Sequence, residues 1–369
     1  MKSILIVGAG ISGCTIARTL AERGYHVHII EKREHIAGNC YDEKDKNGII
    51  VNKYGAHIFH TNSDRVWEFV NRFSIWSPWY HKVIGNIDDT TFPIPVNINT
   101  VNTLCGTNIQ SEEEMKQWLQ TNAVPCENPV TSEEVALKRV GPILYDKIFK
   151  DYTFKQWAKY PCELDASVLE RIPVRTNYDD GYFSDKFQAL PKEGYTKFVE
   201  NMCDHPKITI SLSTEYDITM RSNYDYVCYT GPIDQFYADH NYPKLEYRSI
   251  VFETEYVDVD YFQTNSVVNY PSMKEPYTRI VEYKHFLNQS APGKTTIVKE
   301  YTVAEGDPYY PVPTARNKEV YEMYKKLAEE DEKNGIFFIG RLANYKYYNM
   351  DAAIESALQF VDRFIPCLL

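Results

Sequence analysis

The chain has 369 residues, enough for two or three domains around a sizeable core. Its 40 Lys+Arg against 51 Asp+Glu leave a formal net charge of −11, which argues against nucleic acid as a partner and against polybasic membrane attachment. Any anionic substrate must therefore be met by a few placed arginines. Eight cysteines, at 14, 40, 105, 126, 162, 203, 228 and 367, include no C-x-x-C pair, and no histidine cluster has metal spacing. Neither a disulfide framework nor a metal site is expected. No charged-then-apolar leader opens the chain and no run approaches the roughly 18 apolar residues of a membrane span, so a soluble, reduced, cytoplasmic protein is expected.

In chain order, an apolar strand over residues 2–7 runs into Gly8-Ala9-Gly10-Ile11-Ser12-Gly13 and then an apolar-striped helix over 12–23. A second strand, 27–30, ends at Glu31, roughly 20 residues past the last glycine, where a carboxylate can accept ribose hydroxyls. This is a dinucleotide-binding fingerprint: Gly8 for the tight turn, Gly10 for approach of backbone N–H groups to a pyrophosphate, Gly13 for packing of helix on strand. Phosphates would rest at the positive helix end, beside Ser12. Lys32-Arg33 followed by Gly38-Asn39 supplies a second cationic, glycine-containing turn, which favours FAD over a nicotinamide cofactor.

Ser111-Glu112-Glu113-Glu114 and Thr131-Ser132-Glu133-Glu134 each have the form of a capping box, so a helical segment is expected over about 110–160. The period then shortens. Residues 249–254, 266–269, 277–281 and 295–301 predict the strands of an antiparallel sheet. Residues 318–330 return to helical spacing, 336–339 form a buried strand closed by Gly340-Arg341, and Asn349-Met350-Asp351 opens a last helix. This β-turn-α ending is like the start of the chain, so the cofactor domain is expected to be discontinuous. The 30 tyrosines suit a pocket for a base and a sugar, although tyrosines also line cores and strand faces.

Blocks spread along the whole chain carry a family resemblance: Tyr54-Gly55-Ala56-His57-Ile58-Phe59-His60, Tyr152-Thr153 with Lys155-Gln156-Trp157, and Arg171-Ile172-Pro173-Val174-Arg175. Tyr182-Phe183-Ser184-Asp185, Pro276-Tyr277-Thr278-Arg279-Ile280, Pro308-Tyr309-Tyr310-Pro311 and Gly340-Arg341-Leu342-Ala343 continue the pattern. In these the chain resembles the bacterial-type UDP-galactopyranose mutases. The resemblance implies an α/β fold: a discontinuous Rossmann-like FAD-binding domain (1–78, 190–240 and 317–369), a helical insertion (100–165) and an antiparallel sheet domain (79–99, 166–189 and 241–316) carrying a mobile loop, 169–177. It also implies interconversion of UDP-galactopyranose and UDP-galactofuranose with no net redox change. On that resemblance the reduced flavin N5 would form a covalent adduct at the sugar's anomeric carbon while UDP leaves, an external reductant would be needed, and a homodimer is implied too.

The matched motifs imply the site roles. Arg175 and Arg279 correspond to the family's diphosphate arginines, with Arg248 as a third contributor to the positive field. Tyr152, Thr153, Trp157 and Asn269 fall at the uridine end with Tyr182 and Phe183 beside them, and Tyr310 and Tyr347 near the diphosphate. His60 would tune the flavin. His57, Arg341, Asn349 and Met350 join Gly8, Gly10, Ser12, Gly13, Glu31, Lys32, Gly38 and Asn39 at the cofactor. Two departures stand out: Asn349 replaces an expected Asp, removing one negative charge near the flavin, and residues 76–95 match the pattern poorly. Competing readings are an FAD oxidoreductase of the amine-oxidase type, a mutase for a related UDP-sugar such as UDP-N-acetylgalactosamine, and a non-catalytic flavoprotein that binds sugar nucleotides.

Overall fold

Short β-branched runs and glycine turns build the first layer. In the computed structural model, which describes residues 2–364, Ser3–Val7 pairs in parallel with His26–Ile30 on one side and Tyr226–Tyr229 on the other. Ile208–Ser211 and Ile336–Phe338 complete a five-stranded parallel sheet in the order 208–211, 26–30, 3–7, 226–229, 336–338. Ile4, Leu5 and Ile6 are each at most 1% exposed, as parallel strands covered on both faces require. One face packs under the Ile11–Glu22 and Met350–Phe364 helices through Ile16, Leu20, Ile354 and Val361. The other packs under the Ala315–Lys333 helix through Val320 and Tyr324. The chain thus returns to this layer after long excursions. Cys367 lies outside the described residues.

The second layer is a seven-stranded, mostly antiparallel sheet whose centre is Tyr247–Val257, Thr295–Val303, Arg279–Glu282 and Val267–Asn269. These bounds agree with the short-period pattern. The sheet also gains the hairpin Val83–Ile87/Thr90–Ile94, joined in parallel to Val267–Asn269. A three-stranded sheet (Phe59–Thr61, Phe187–Pro191, Trp76–Pro78) and the pair Asp42–Lys44/Ile50–Asn52 carry no signal in the sequence pattern. Most of these strands have three residues, too few to show a period.

The helical segment breaks into pieces. Thr131 and Glu134 form the expected reciprocal cap, with Glu134 N–H on Thr131 Oγ1 at 3.3 Å and Thr131 N–H on Glu134 Oε2 at 2.9 Å. At Ser111 only half the box forms, because the Glu114 carboxylate takes the Gln110 N–H instead, at 2.7 Å. The Ser132–Leu144 helix bends at Gly141-Pro142, passes into a π-helical stretch, Tyr145–Lys150, and resumes as Asp151–Trp157. The i→i+5 pattern rotates the Asp151–Trp157 turns relative to a straight helix. Among the described residues no helix is long and apolar enough to cross a membrane.

Candidate functional site

A cleft of about 1090 Å³ runs from the parallel sheet's first turn, past the antiparallel sheet, to the Asp151–Trp157 helix. At the sheet end, a Cβ on Gly13 would lie 2.0 Å from the Gly8 carbonyl oxygen, so only glycine lets the Ile11–Glu22 helix start this close to the strand. Gly10 and Gly38 face each other, and a Cβ on Gly38 would come within 2.9 Å of Gly10 Cα. Together they leave a bare backbone groove. The helix begins with Gly10 as N-cap and no side-chain cap, leaving its first N–H groups open to an anion.

Glu31 anchors the groove. Its Oε2 accepts from Ala9 N–H at 2.8 Å and its Oε1 from Arg33 N–H at 2.9 Å, and the carboxylate keeps lone pairs for a ribose. The neighbouring cations are partly committed: Lys32 pairs with Asp307 at 3.5 Å, and Arg33 bridges Asp307 and Asn39 at 2.9 and 3.0 Å. At the far end of the groove the guanidinium of Arg341 lies 4.7 Å over the Tyr310 ring and 4.6 Å over Tyr347. Its Nε and Nη2 are buried and have no hydrogen-bond partner within the protein. A buried guanidinium with two unmet donors fits an anionic ligand such as a dinucleotide's pyrophosphate, so the residues present suit the cofactor.

Beyond Arg341 the cleft is lined by rings and cations. Arg279 is held by a 2.6 Å bond from its Nε to Glu300 Oε2, and Glu300 is 1% exposed. That buried carboxylate offsets burial and holds the guanidinium's pKa well above its ordinary value. Tyr347 stacks on Tyr310 with centroids 5.5 Å apart. Burial pushes its phenol up, but Arg171 first, then Arg341 and Arg279, outweigh that and draw it down to about 8. Burial raises Tyr152, keeping it a neutral hydroxyl.

Three histidines stand at the junction. Burial lowers His57 to about 4, and its Nδ1–H donates to the Gly55 carbonyl at 2.7 Å, which leaves Nε2 as an acceptor. His60 Nδ1 lies 2.9 Å from Asp185 Oδ2, and its ring stacks 3.8 Å from Phe183. His81 is 4% exposed, lowered to about 3 by burial and then by Arg279. Trp79 Nε1–H donates to its Nδ1 at 3.3 Å, so the neutral ring carries its proton on Nε2.

Every predicted site residue lines this cleft except Arg175 and Arg248. Arg248 is 6% exposed and donates to the Gln156 and Thr302 carbonyls, each at 3.2 Å, which ties the Asp151–Trp157 helix to the sheet. Arg175 is turned away, paired with Asp179 and bonded to the Gly181 carbonyl at 2.6 Å. Asn349 opens the last helix as expected, its carbonyl accepting from Ala353 N–H at 3.0 Å. Sequence reading missed Arg171, which lies four residues before Arg175 in the same motif and sits 4.2 Å over the Tyr347 ring, and His81, which lies in the poorly matching stretch.

The chain is similar to known proteins over most of its length. The family model described as UDP-galactopyranose mutase matches residues 147–347, and an NAD(P)-binding Rossmann-like domain model matches 6–73. A probable UDP-galactopyranose mutase of Klebsiella pneumoniae is 42% identical, covering 99% of this chain and 95% of its own. The chain belongs to the UDP-galactopyranose mutase family. A dTDP-fucopyranose mutase of Escherichia coli is 39% identical, covering 99% of both chains. The fold is also that of a reduced UDP-galactopyranose mutase crystal structure, with a TM-score of 0.79 at 19% identity, covering 100% of this chain and 96% of that one. A putrescine oxidase variant shares the fold more loosely, with a TM-score of 0.61 at 12% identity and 99% coverage of both chains. Family membership makes the chain a mutase, an isomerase with a dinucleotide-binding domain.

Proposed function

We propose that the chain interconverts UDP-galactopyranose and UDP-galactofuranose, with FAD, active when reduced, in the groove from Gly8 to Asn39. The carrying observation is the continuity of the cleft: a groove suited to a dinucleotide opens, at the Arg341 guanidinium with its two unmet donors, into a chamber lined by Arg279, Arg171, Tyr310 and Tyr347. When bound and reduced, the flavin would supply a nucleophile for the anomeric carbon and be released again with no net oxidation.

The protein's own work is electrostatic and positional. Negative charge grows on the departing UDP as the C–O bond breaks, and Arg279, fixed in advance by Glu300, offers a permanent cation that need not reorganise. Tyr310 and Tyr347 add neutral donors. At the uridine end Trp157, 3% exposed, offers a ring, Thr153 a hydroxyl and Asn269 a buried Oδ1 with no protein partner, an acceptor suited to a base N–H. His57 and His81 are neutral at working pH, one presenting an acceptor and one a donor between cofactor and sugar. Arg175 would join the diphosphate when segment 169–177 closes, adding charge and excluding water. A small-molecule or protein reductant, a cytoplasmic location and a homodimer complete the reading.

The dTDP-fucopyranose mutase relative supports a second reading, a different nucleotide and a 6-deoxy sugar on the same scaffold. One assay separates them. Dithionite-reduced protein is given UDP-galactofuranose or dTDP-fucofuranose and the products are separated by chromatography. Conversion of the UDP-sugar by reduced protein alone is expected. Preference for the dTDP-sugar selects the second reading, and equal turnover by oxidised protein contradicts both.

A further inference from the structure

The Asp151–Trp157 helix and the turn between Asn269 and Arg279 form facing walls of the cleft, and one side chain joins them. The Lys155 ammonium points away from the cleft into that turn. It donates to the Tyr270 carbonyl and to the carbonyls of Ser272, Glu275 and Tyr277 at 2.7, 3.0 and 2.9 Å. Four acceptors drawn from one loop converge on a group that carries three protons. The loop's neck is closed by Tyr270 N–H on the Thr278 carbonyl at 2.9 Å and by the Tyr270 and Tyr277 rings, 4.9 Å apart, and Lys155 fills its centre. Asn269 and Arg279, which face the cleft, stand at the two ends of the loop, and Thr153 and Trp157 flank Lys155 on the helix.

We propose that Lys155 is a positioning residue for the nucleotide: by filling the carbonyl ring of residues 270–277 it fixes the gap between the helix wall carrying Thr153 and Trp157 and the hairpin wall carrying Asn269 and Arg279. The hairpin wall is held by strand pairing and the helix wall by the Arg248 Nε–H bond to the Gln156 carbonyl, while Lys155 links the helix to the loop itself. A guanidinium is planar and larger than an ammonium, so arginine does not substitute where four carbonyls close on one nitrogen. Without a donor the carbonyls lose their common partner and the loop reopens to solvent, at the cost of the pre-set gap.

The inference rests on the reading of the cleft as a nucleotide site, and UDP is the probe. Wild-type holoprotein, Lys155→Ala and Lys155→Gln are titrated with UDP by calorimetry, with flavin content as the folding check. Lys155→Ala should weaken UDP roughly tenfold and raise KM far more than it lowers kcat, with flavin content unchanged, as loss of pre-organisation predicts. Lys155→Gln, which keeps a stem and two N–H donors, should lose less. Added ethylammonium should restore UDP binding to Lys155→Ala, and tetramethylammonium, a cation with no donor, should not. Undiminished binding by Lys155→Ala, or equal recovery with both cations, overturns the proposal and leaves the site reading intact. Wild-type protein indifferent to UDP overturns both.

Discussion

Arg279 and Arg175 match the same family role, yet the two regions that carry them are built in opposite ways. Arg279 begins a central strand, is paired to a carboxylate buried beneath it, and already faces the cleft. Arg175 comes after a four-residue helix, Ser167–Glu170, in an irregular segment, and its guanidinium is spent on Asp179 and on the Gly181 carbonyl, while its Nε is buried with no partner within the protein. One cation is installed by the sheet. The other is latched in a position that leaves a donor unmet, which suits a group to be moved. A static charge gives pre-organisation; on the proposed reading a delivered one would accompany substrate in and exclude water, so the two arginines would divide binding from release.

The largest test of that contrast is Arg279→Ala. Losing a pre-set cation at the leaving group and stranding Glu300 should lower kcat/KM about a hundredfold or more, on the order of 3 kcal/mol, by steady-state kinetics on reduced protein. Arg175→Ala should cost less, on the order of 2 kcal/mol in kcat/KM, and should weaken UDP less than Arg279→Ala does, because breaking the pair with Asp179 offsets part of what Arg175 gains at the diphosphate. An Arg175 variant that loses resting affinity as Arg279→Ala does would erase the distinction.

The aromatic pair Tyr310 and Tyr347, which faces Arg279, Arg171 and Arg341, has its own signature. Tyr347 ionises near pH 8, and a bound diphosphate disfavours the phenolate, so nucleotide binding takes up a proton above that pH. UDP affinity should therefore fall as pH rises from 7 to 9, by up to about tenfold, and Tyr347→Phe should make the fall shallower. The smallest effect belongs to the latch. Asp179→Asn weakens the hold on Arg175, and UDP should then bind about two- to threefold more tightly by calorimetry, the scale of a partly exposed ion pair.

The same contrast explains what the sequence could and could not reveal. The glycine groove and Glu31 are readable because each works through its own backbone and nearest strand, so spacing alone carries the geometry. Trp157, Asn269 and Arg279 are readable only through motif resemblance, since they meet from separate chain segments. Resemblance names Arg175 and Arg248 but carries no information on where a side chain points, and Arg248 holds helix to sheet. Arg171 sits within a matched motif yet gives no separate signal, because its position over Tyr347 depends on how the segment folds back. His81 gives none either, lying in the hairpin approach where the pattern breaks down. The order of helical and strand segments is legible from changes of period; the three-residue strands are below that threshold.

The most direct test is a crystal structure of the flavin-loaded, reduced protein with UDP. The account predicts flavin in the Gly8 to Asn39 groove, Arg279 still on Glu300, and Arg175 released from Asp179 with its guanidinium within hydrogen-bond distance of the diphosphate. UDP bound elsewhere, or bound in the cleft with Arg175 still paired to Asp179, would contradict it.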